Sequence, residues 1–471
     1  MEGFIMKKKI LAIFLVVAMV AALAVGLTAC KKDDGGKKDT KVTSFEPIAK
    51  ENIKFGLITL HGEESTYDKN FIDAARKAIK NAGLRDDQLI IKTGVPEGDE
   101  CYDAAAELVG KGCNIIFADS FGHEPYVLKA AKEFPNVRFC HATGTTAHTE
   151  LQPNFYNAFA SIYEGRYLAG IAAGMKLNEM AGGKATGADA VMGYVGAYTY
   201  AEVISGYTSF YLGAKSVCPD VTMKVKFTGS WYDQKKEGDA ADALIAAGCK
   251  LISQHADSMG APTACKNANV PNVTYNISTK DTCGNSYLIG SKINWAPYYE
   301  YVIACTINGV TALGFDWTGD LATGSVELLE INDAVAAAGT KEAIEAAIKG
   351  LENGTIHVYD LEKDNYITVD GKKLTNYKAD VDTDDKFTPD TFVVVNGTFN
   401  ESTYRSAPYF DVRIDGIELW RVIWDKTTLS NSETLLNGSA RSLRTMTSAW
   451  TSGAVKFCRF LAKTEAVKPP L

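Results

Sequence analysis

From Ile53 onward, short runs of β-favouring residues alternate with stretches at helical spacing, and that alternation leaves few folds open. Ile53–Leu60 reads as a strand that ends in polar residues. Asn70–Ala82 reads as a helix, with Phe71, Ala74, Ala75, Ala78 and Ile79 on one face and Gly83 as its stop. Strands at Leu89–Thr93, Asn114–Ala118 and Val137–His141 are separated by helices at Tyr102–Val109 and Tyr126–Glu133. A second series follows. Its helices are Glu164–Lys176, Ala201–Ser216 and Glu237–Ala247, and its strands are Val191–Val195, Val221–Thr228, Leu251–Gln254, Val273–Asn276 and Tyr287–Ile289. Repeated β-α-β units make parallel sheets with helices on both faces. The expected fold is therefore α/β: two doubly wound, Rossmann-like lobes joined by a hinge, with a cleft between them. The expected lobes are 53–160 plus about 291–325, and 161–290 plus about 326–416.

The N-terminus predicts export. Met6-Lys7-Lys8-Lys9 precedes an apolar run from Ile10 to Leu27, the pattern of a signal peptide. Leu27-Thr28-Ala29-Cys30 then matches a bacterial lipobox, in which Cys30 takes lipid and becomes the new N-terminus. Residues 1–30 are expected to be the lipoprotein signal. Residues 31–52 carry few apolar groups and are expected to be a flexible tether. The protein is then held on the extracytoplasmic face of the cell membrane through its anchor.

Composition removes several function classes. A net charge of −8 argues against nucleic acid, which needs a clustered basic face. The ten cysteines contain no Cys-x-x-Cys pair, and the histidines show no zinc spacing, so no metal and no cofactor is expected. Cys101, Cys113, Cys140, Cys249 and Cys265 lie inside apolar patterns and read as small buried hydrophobes. Asp380-Val381-Asp382-Thr383-Asp384 opens like a calcium loop, but Asp385 and Thr391 stand where Gly and Glu are required. No Gly-x-Ser-x-Gly, His-Glu-x-x-His or Walker motif occurs, so the chain reads as a non-enzyme and an ATPase function must belong to a partner.

Four segments together carry a resemblance. Tyr67-Asp68-Lys69-Asn70-Phe71 is similar to an Asp-x-x-Phe ligand loop. Asn157 to Gly174, NAFASIYEGRYLAGIAAG, is similar to a Tyr-Leu-Ala-Gly helix. Gly193-Tyr194-Val195-Gly196 opens the second lobe, and Gly229-Ser230-Trp231-Tyr232-Asp233 resembles a Gly-Ser-Trp/Phe-x-Asp motif. From about Ile53 to Ile417 the chain resembles the basic membrane protein (BMP) lipoproteins, the purine nucleoside-binding group of type I periplasmic binding proteins. That resemblance implies a substrate-binding protein of an ABC importer, with a permease and an ATPase as partners and a purine nucleoside or purine base as ligand. One departure is that Ile72 follows Phe71 where many relatives have Asn.

In open α/β sheets ligands sit beyond the carboxyl ends of strands. Those ends carry Tyr67 and Asp68, then Ser120, Phe121, Gly122 and His123, then His255 and Asp257, then Asn276. Aromatic faces for a flat base are offered by Tyr67, Phe71, Phe121, Trp231 and Trp295. Asp68, Asp233 and Asp257 can accept from ribose hydroxyls or ring N–H groups. Plainer readings stand beside these. Phe71 shares a helix face with alanines, Trp295 can fill the hinge, and Asp68 can cap a helix. His123 and His255 can be structural. A sugar ligand is the alternative within binding proteins. A nucleoside hydrolase is a more distant one, since no dense Asp cluster stands near the N-terminus.

Residues 417–471 are expected to be an unrecognised extension. From 418 onward they hold eight Lys and Arg against four Asp and Glu, reversing the sign of the whole.

Overall fold

The computed structural model describes residues 45–420 apart from 312, 365 and 382–387. The signal segment, Cys30, the tether up to residue 44, the extension past residue 420 and part of the acidic stretch after Asp380 lie outside the described residues. No helix among the described residues is long and apolar enough to cross a membrane.

Two sheets organise the chain. The first uses β1 (Phe55–Ile58), β2 (Leu89–Lys92), β3 (Ile115–Ala118), β4 (Arg138–Ala142), β5 (Phe155–Ala160) and β11 (Asp316–Gly319). Its order is β11-β5-β4-β3-β1-β2, and every pairing is parallel. The second uses β6 (Val191–Gly196), β7 (Thr222–Phe227), β8 (Leu251–His255), β9 (Asn272–Tyr275), β10 (Tyr287–Ile293) and β12 (Val326–Leu328). Its order is β12-β10-β9-β8-β6-β7, with only β12 antiparallel. The chain runs out from β1 and from β6 in both directions, so each sheet has a switch point where a ligand crevice forms.

The chain passes between the sheets after β5, after β10 and between β11 and β12. These are the hinge strands of a two-lobe α/β protein. Helices cover the sheets: α1 (Thr66–Asn81), α2 (Asp99–Gly110), α3 (Glu124–Glu133), α4 (Ile162–Met180), α5 (Ala201–Val217), α6 (Gln234–Ala246), α7 (Gly260–Ala268), α8 (Ala296–Ile307) and α9 (Thr340–Glu352).

The glycine-rich stretch of α4 has a packing reason. A Cβ on Gly170 would strike the Phe210 carbonyl, and one on Gly213 would strike that of Tyr167. Glycine lets α4 and α5 approach backbone to backbone over the second sheet.

Several elements depart from the sequence reading. Helix α1 starts at Thr66, not Asn70, because Ser65 caps it and accepts from the Asp68 N–H. Strand β5, helix α7, helix α8 and strands β11 and β12 carry no clear periodic signal; α8 is apolar nearly all round and so lacks an amphipathic stripe. Helix α9 has a plain amphipathic pattern that the sequence reading leaves unassigned. Ile417–Leu419 pairs in parallel with β7, so the second sheet reaches past the boundary expected at residue 417. The exposed edge of β7 takes this strand as its neighbour, and Lys224 meets Glu418 at 3.4 Å.

The described cysteines, from Cys101 to Cys305, are free and buried. Burial pushes the Cys101 thiol up to about 12, which keeps it protonated and unreactive.

Candidate functional site

The loop after β1 turns back onto the first turn of α1. Asp68 accepts from the His61 N–H at 2.7 Å and from Ser65 Oγ at 2.5 Å, with His61 Nδ1 at 3.4 Å. Burial alone would raise its pKa, but these donors outweigh burial and hold the carboxyl below its ordinary value. Behind it lies Asp119, fully buried at the end of β3. Asp119 Oδ1 accepts from Leu60 N at 3.2 Å, and its carbonyl accepts from Tyr67 OH at 2.8 Å. Burial first, and then the neighbouring Asp68 charge, push the Asp119 carboxyl well above its ordinary value.

The second sheet supplies the facing wall. Trp231 lies in the loop after β7, and its carbonyl accepts from Asp257 N at 2.9 Å. His255 ends β8, with Nε2 3.3 Å from Glu202 Oε1 in the first turn of α5. Burial lowers the pKa of this imidazole, so it is neutral at pH 7 and donates from Nε2. Its Nδ1 is buried and has no hydrogen-bond partner among the described residues. Asp257 is pushed well up by burial and by the Asp68 charge.

The two walls meet. Thr66 N donates to the Asp257 carbonyl at 2.8 Å, joining the first lobe to the second. Phe121 stacks on Tyr200 with centroids 5.1 Å apart, and Tyr200 lies 5.9 Å from Trp231. His61 meets Tyr232 at 5.2 Å. Between them is a cavity with about 340 Å3 of space, part of it solvent. Tyr67, Asp68, Ser120 and Phe121 line it from the first lobe, and Trp231, His255 and Asp257 line it from the second. All seven are among the residues that the sequence singles out. Leu60, His61, Thr143 and Glu202 complete the lining, and no lysine or arginine lines it among the described residues.

The remaining sequence candidates lie elsewhere. Phe71 and Trp295 stack on each other at 4.5 Å inside the first-lobe core, 0% and 1% exposed. Phe71 points inward because its helix face is the apolar one, and Trp295 fills the space between α1 and β3. His123 is wholly buried, its Nε2 2.9 Å from the Val95 carbonyl, and burial brings its pKa down to about 4. Gly122 donates its N–H to Glu97 at the rim. Asp233 caps α6, accepting from Lys236 N at 2.9 Å. Asn276 follows β9 in a left-handed conformation, and its N–H donates to the Ser291 carbonyl. None of these six lines the cavity.

Of the lining residues not among the sequence candidates, Glu202 was within reach of the same rule. It sits just beyond the carboxyl end of β6, at the switch point of the second sheet. Thr143 follows β4 and takes a φ of 66°, a strained position that no sequence pattern announces.

The family comparison adds to this geometry. A model described as ABC transporter substrate-binding protein PnrA-like, Bmp, matches residues 57–362. This chain belongs to the Bmp family. A purine-binding protein of Brucella abortus is 32% identical over 272 residues, 58% of this chain and 73% of that one. A putative ABC transporter glucose-binding protein of Haloferax volcanii is 32% identical over 214 residues, 45% of this chain and 50% of that one. Among solved structures, an ABC transporter solute-binding protein from Conexibacter woesei has a TM-score of 0.54 at 20% identity. It covers 65% of this chain and 98% of its own, a likeness of fold. The Bmp match contains every residue that lines the cavity. The small hairpins beyond residue 362 and the strand Ile417–Leu419 lie outside it.

Proposed function

We propose that this Bmp-family chain is a lipid-anchored, extracytoplasmic receptor that binds a purine nucleoside or purine base and delivers it to an ABC permease with its ATPase. One observation carries the reading: aromatic rings and hydrogen-bond acceptors from both lobes converge on one cavity. Phe121 and Tyr67 come from one side, Trp231 from the other, with Asp68, Asp257 and Glu202 at the edges. A flat heterocycle gains about 1–3 kcal/mol from each aromatic face. Carboxylates accept from ring N–H groups and ribose hydroxyls. Thr66 bridging to Asp257 gives the lobes a closing contact. Release to the permease then requires that contact to open. The purine-binding name of the Brucella relative supports the ligand class.

A sugar is the second reading, favoured by the glucose-binding name of the Haloferax relative. Calorimetry with guanosine, adenosine, inosine, the free bases, glucose and ribose separates the two. Saturable heat with purines and none with sugars is the expected result; the reverse would replace the proposal. Membrane attachment is tested by Cys30→Ala, which should release the chain from the membrane fraction.

A further inference from the structure

We infer that Glu202, held by His255, sets the ligand preference of the cavity by favouring a planar heterocycle with two adjacent N–H donors over one that pairs a donor with an acceptor. The inference rests on the purine reading above and names which purine edge the site selects, the guanine type over the adenine type.

The argument starts from which carboxyl group is left for a ligand. Asp68 is already occupied by the His61 N–H and by Ser65 Oγ. Asp257 stands at the seam, its backbone carbonyl bridged to Thr66 and its carboxyl pushed well above the ordinary value by burial. Glu202 differs from both. Its Oε1 lies against His255 Nε2, which fixes the carboxylate head; Oε2 and the second lone pair of Oε1 remain to accept. The side chain is 10% exposed, with the cavity beside it. It stands in the first turn of α5. It also stands two residues from Tyr200, which stacks on Phe121 and touches Trp231. A base lying along that aromatic wall presents its hydrogen-bonding edge to Glu202.

A carboxylate only accepts. It can take both the ring N–H and the exocyclic amino N–H of a guanine-type edge. An adenine-type edge offers one amino donor beside a ring nitrogen acceptor, and that acceptor would face a carboxylate oxygen. An amide reverses the match, because it accepts and donates side by side, as when Asn or Gln pairs with adenine.

The test is calorimetry with guanosine and adenosine on the full chain and on Glu202→Gln. The wild type should bind guanosine more tightly, and Glu202→Gln should weaken guanosine by about tenfold or more while narrowing or reversing the preference. Glu202→Asp, which withdraws the carboxylate without adding a donor, should weaken guanosine without moving toward adenosine. Thermal melts establish that each variant is folded. A wild type that prefers adenosine overturns the inference, as does an unchanged guanosine-to-adenosine ratio in Glu202→Gln; either result leaves the purine receptor standing. A wild type that binds no purine overturns both.

Discussion

The two walls of the cavity are built to different standards of completeness. On the first-lobe wall nearly every polar group is spoken for: Asp68 holds His61 and Ser65, Tyr67 holds the Asp119 carbonyl, and Ser120 Oγ donates to Glu97 at 2.6 Å. On the second-lobe wall, His255 Nδ1 has no hydrogen-bond partner among the described residues, and Glu202 pairs with His255 at 3.3 Å. A buried polar atom without a partner costs about 1–3 kcal/mol. The difference teaches a division of labour. On the proposed reading, the first wall is set before a ligand arrives, and the second keeps its capacity for one. Two tryptophans also differ in place, although Tyr67 and Phe121 of the first lobe line the cavity. Trp295 on the first-lobe side is core, whereas Trp231 on the second is a wall of the cavity.

The largest expected effect tests the two tryptophans. Trp295→Ala removes a side chain that stacks on Phe71 at 4.5 Å and meets Phe117 at 5.6 Å. Loss of a buried Trp costs about 3–5 kcal/mol, read by urea unfolding. Ligand affinity of the remaining folded protein should hold. A variant that keeps its stability and loses the ligand would move Trp295 out of the core. Trp231→Ala should do the opposite. It removes one aromatic face worth about 1–3 kcal/mol, roughly one to two decades of affinity, with the melting temperature nearly unchanged. Trp231→Phe should lose less. Normal binding with early melting would make Trp231 structural.

That contrast also marks how far the sequence could be read. The β-α alternation from Ile53 was legible because parallel sheets bury both faces and leave apolar runs between helices. The strand-end rule was legible for Tyr67, Ser120, Phe121, His255 and Asp257, all of which line the cavity. It could not tell a ring facing the cleft from one facing the core. Phe71 stands one helical turn beyond Tyr67 on the same face, and that single turn carries it from the cavity lining into the apolar cluster. Trp295 likewise follows a strand but lies under α1. Asp233, singled out as a carboxylate acceptor at the end of the Gly-Ser-Trp-Tyr-Asp motif, instead caps a helix, accepting from Lys236 N. Helix α8 escaped for a different reason: buried on most sides, it has no polar face to give a period.

Proton linkage tests carboxyl groups away from the cavity walls as well as Asp68 on one of them. Glu164 in α4 is raised to about 7 and Glu401 to about 8, in each case chiefly by burial, from an ordinary 4.5. Folded, both hold a proton that the unfolded chain releases above 4.5. Their contribution to stability is therefore complete below that value and is lost as pH rises through about 7 and about 8. Asp68, lowered in the fold, works the other way and costs stability only in acid, as pH falls through its folded value. Urea unfolding should show stability falling by about 1.4 kcal/mol per pH unit for each raised group from pH 5 up to its own folded value, about 7 for Glu164 and about 8 for Glu401. Glu401→Gln should flatten the upper part of that slope, because the amide cannot ionise between Ser205 and Tyr359. An unchanged slope would mean that Glu401 is ionised in the fold.

The smallest effect bears most directly on the idea of a wall completed in advance. Ser65 has two roles at one place. Its Oγ accepts from Asp68 N at 3.2 Å, capping α1, and donates to Asp68 Oδ2 at 2.5 Å. Ser65→Ala removes both, and loss of a serine cap costs about 1 kcal/mol. The Asp68 carboxylate would keep the His61 N–H, so the loop should stay folded. It would no longer be held from two sides, and the first-lobe wall would have to be ordered as the ligand binds. The expected signature is a small drop in melting temperature together with a modest loss of affinity for every ligand tried, with no change in preference among them. Glu202→Gln should give the reverse signature, a changed preference with little change in melting. If Ser65→Ala altered the preference instead, the first wall would be reading the ligand, and the division between the two walls would fail.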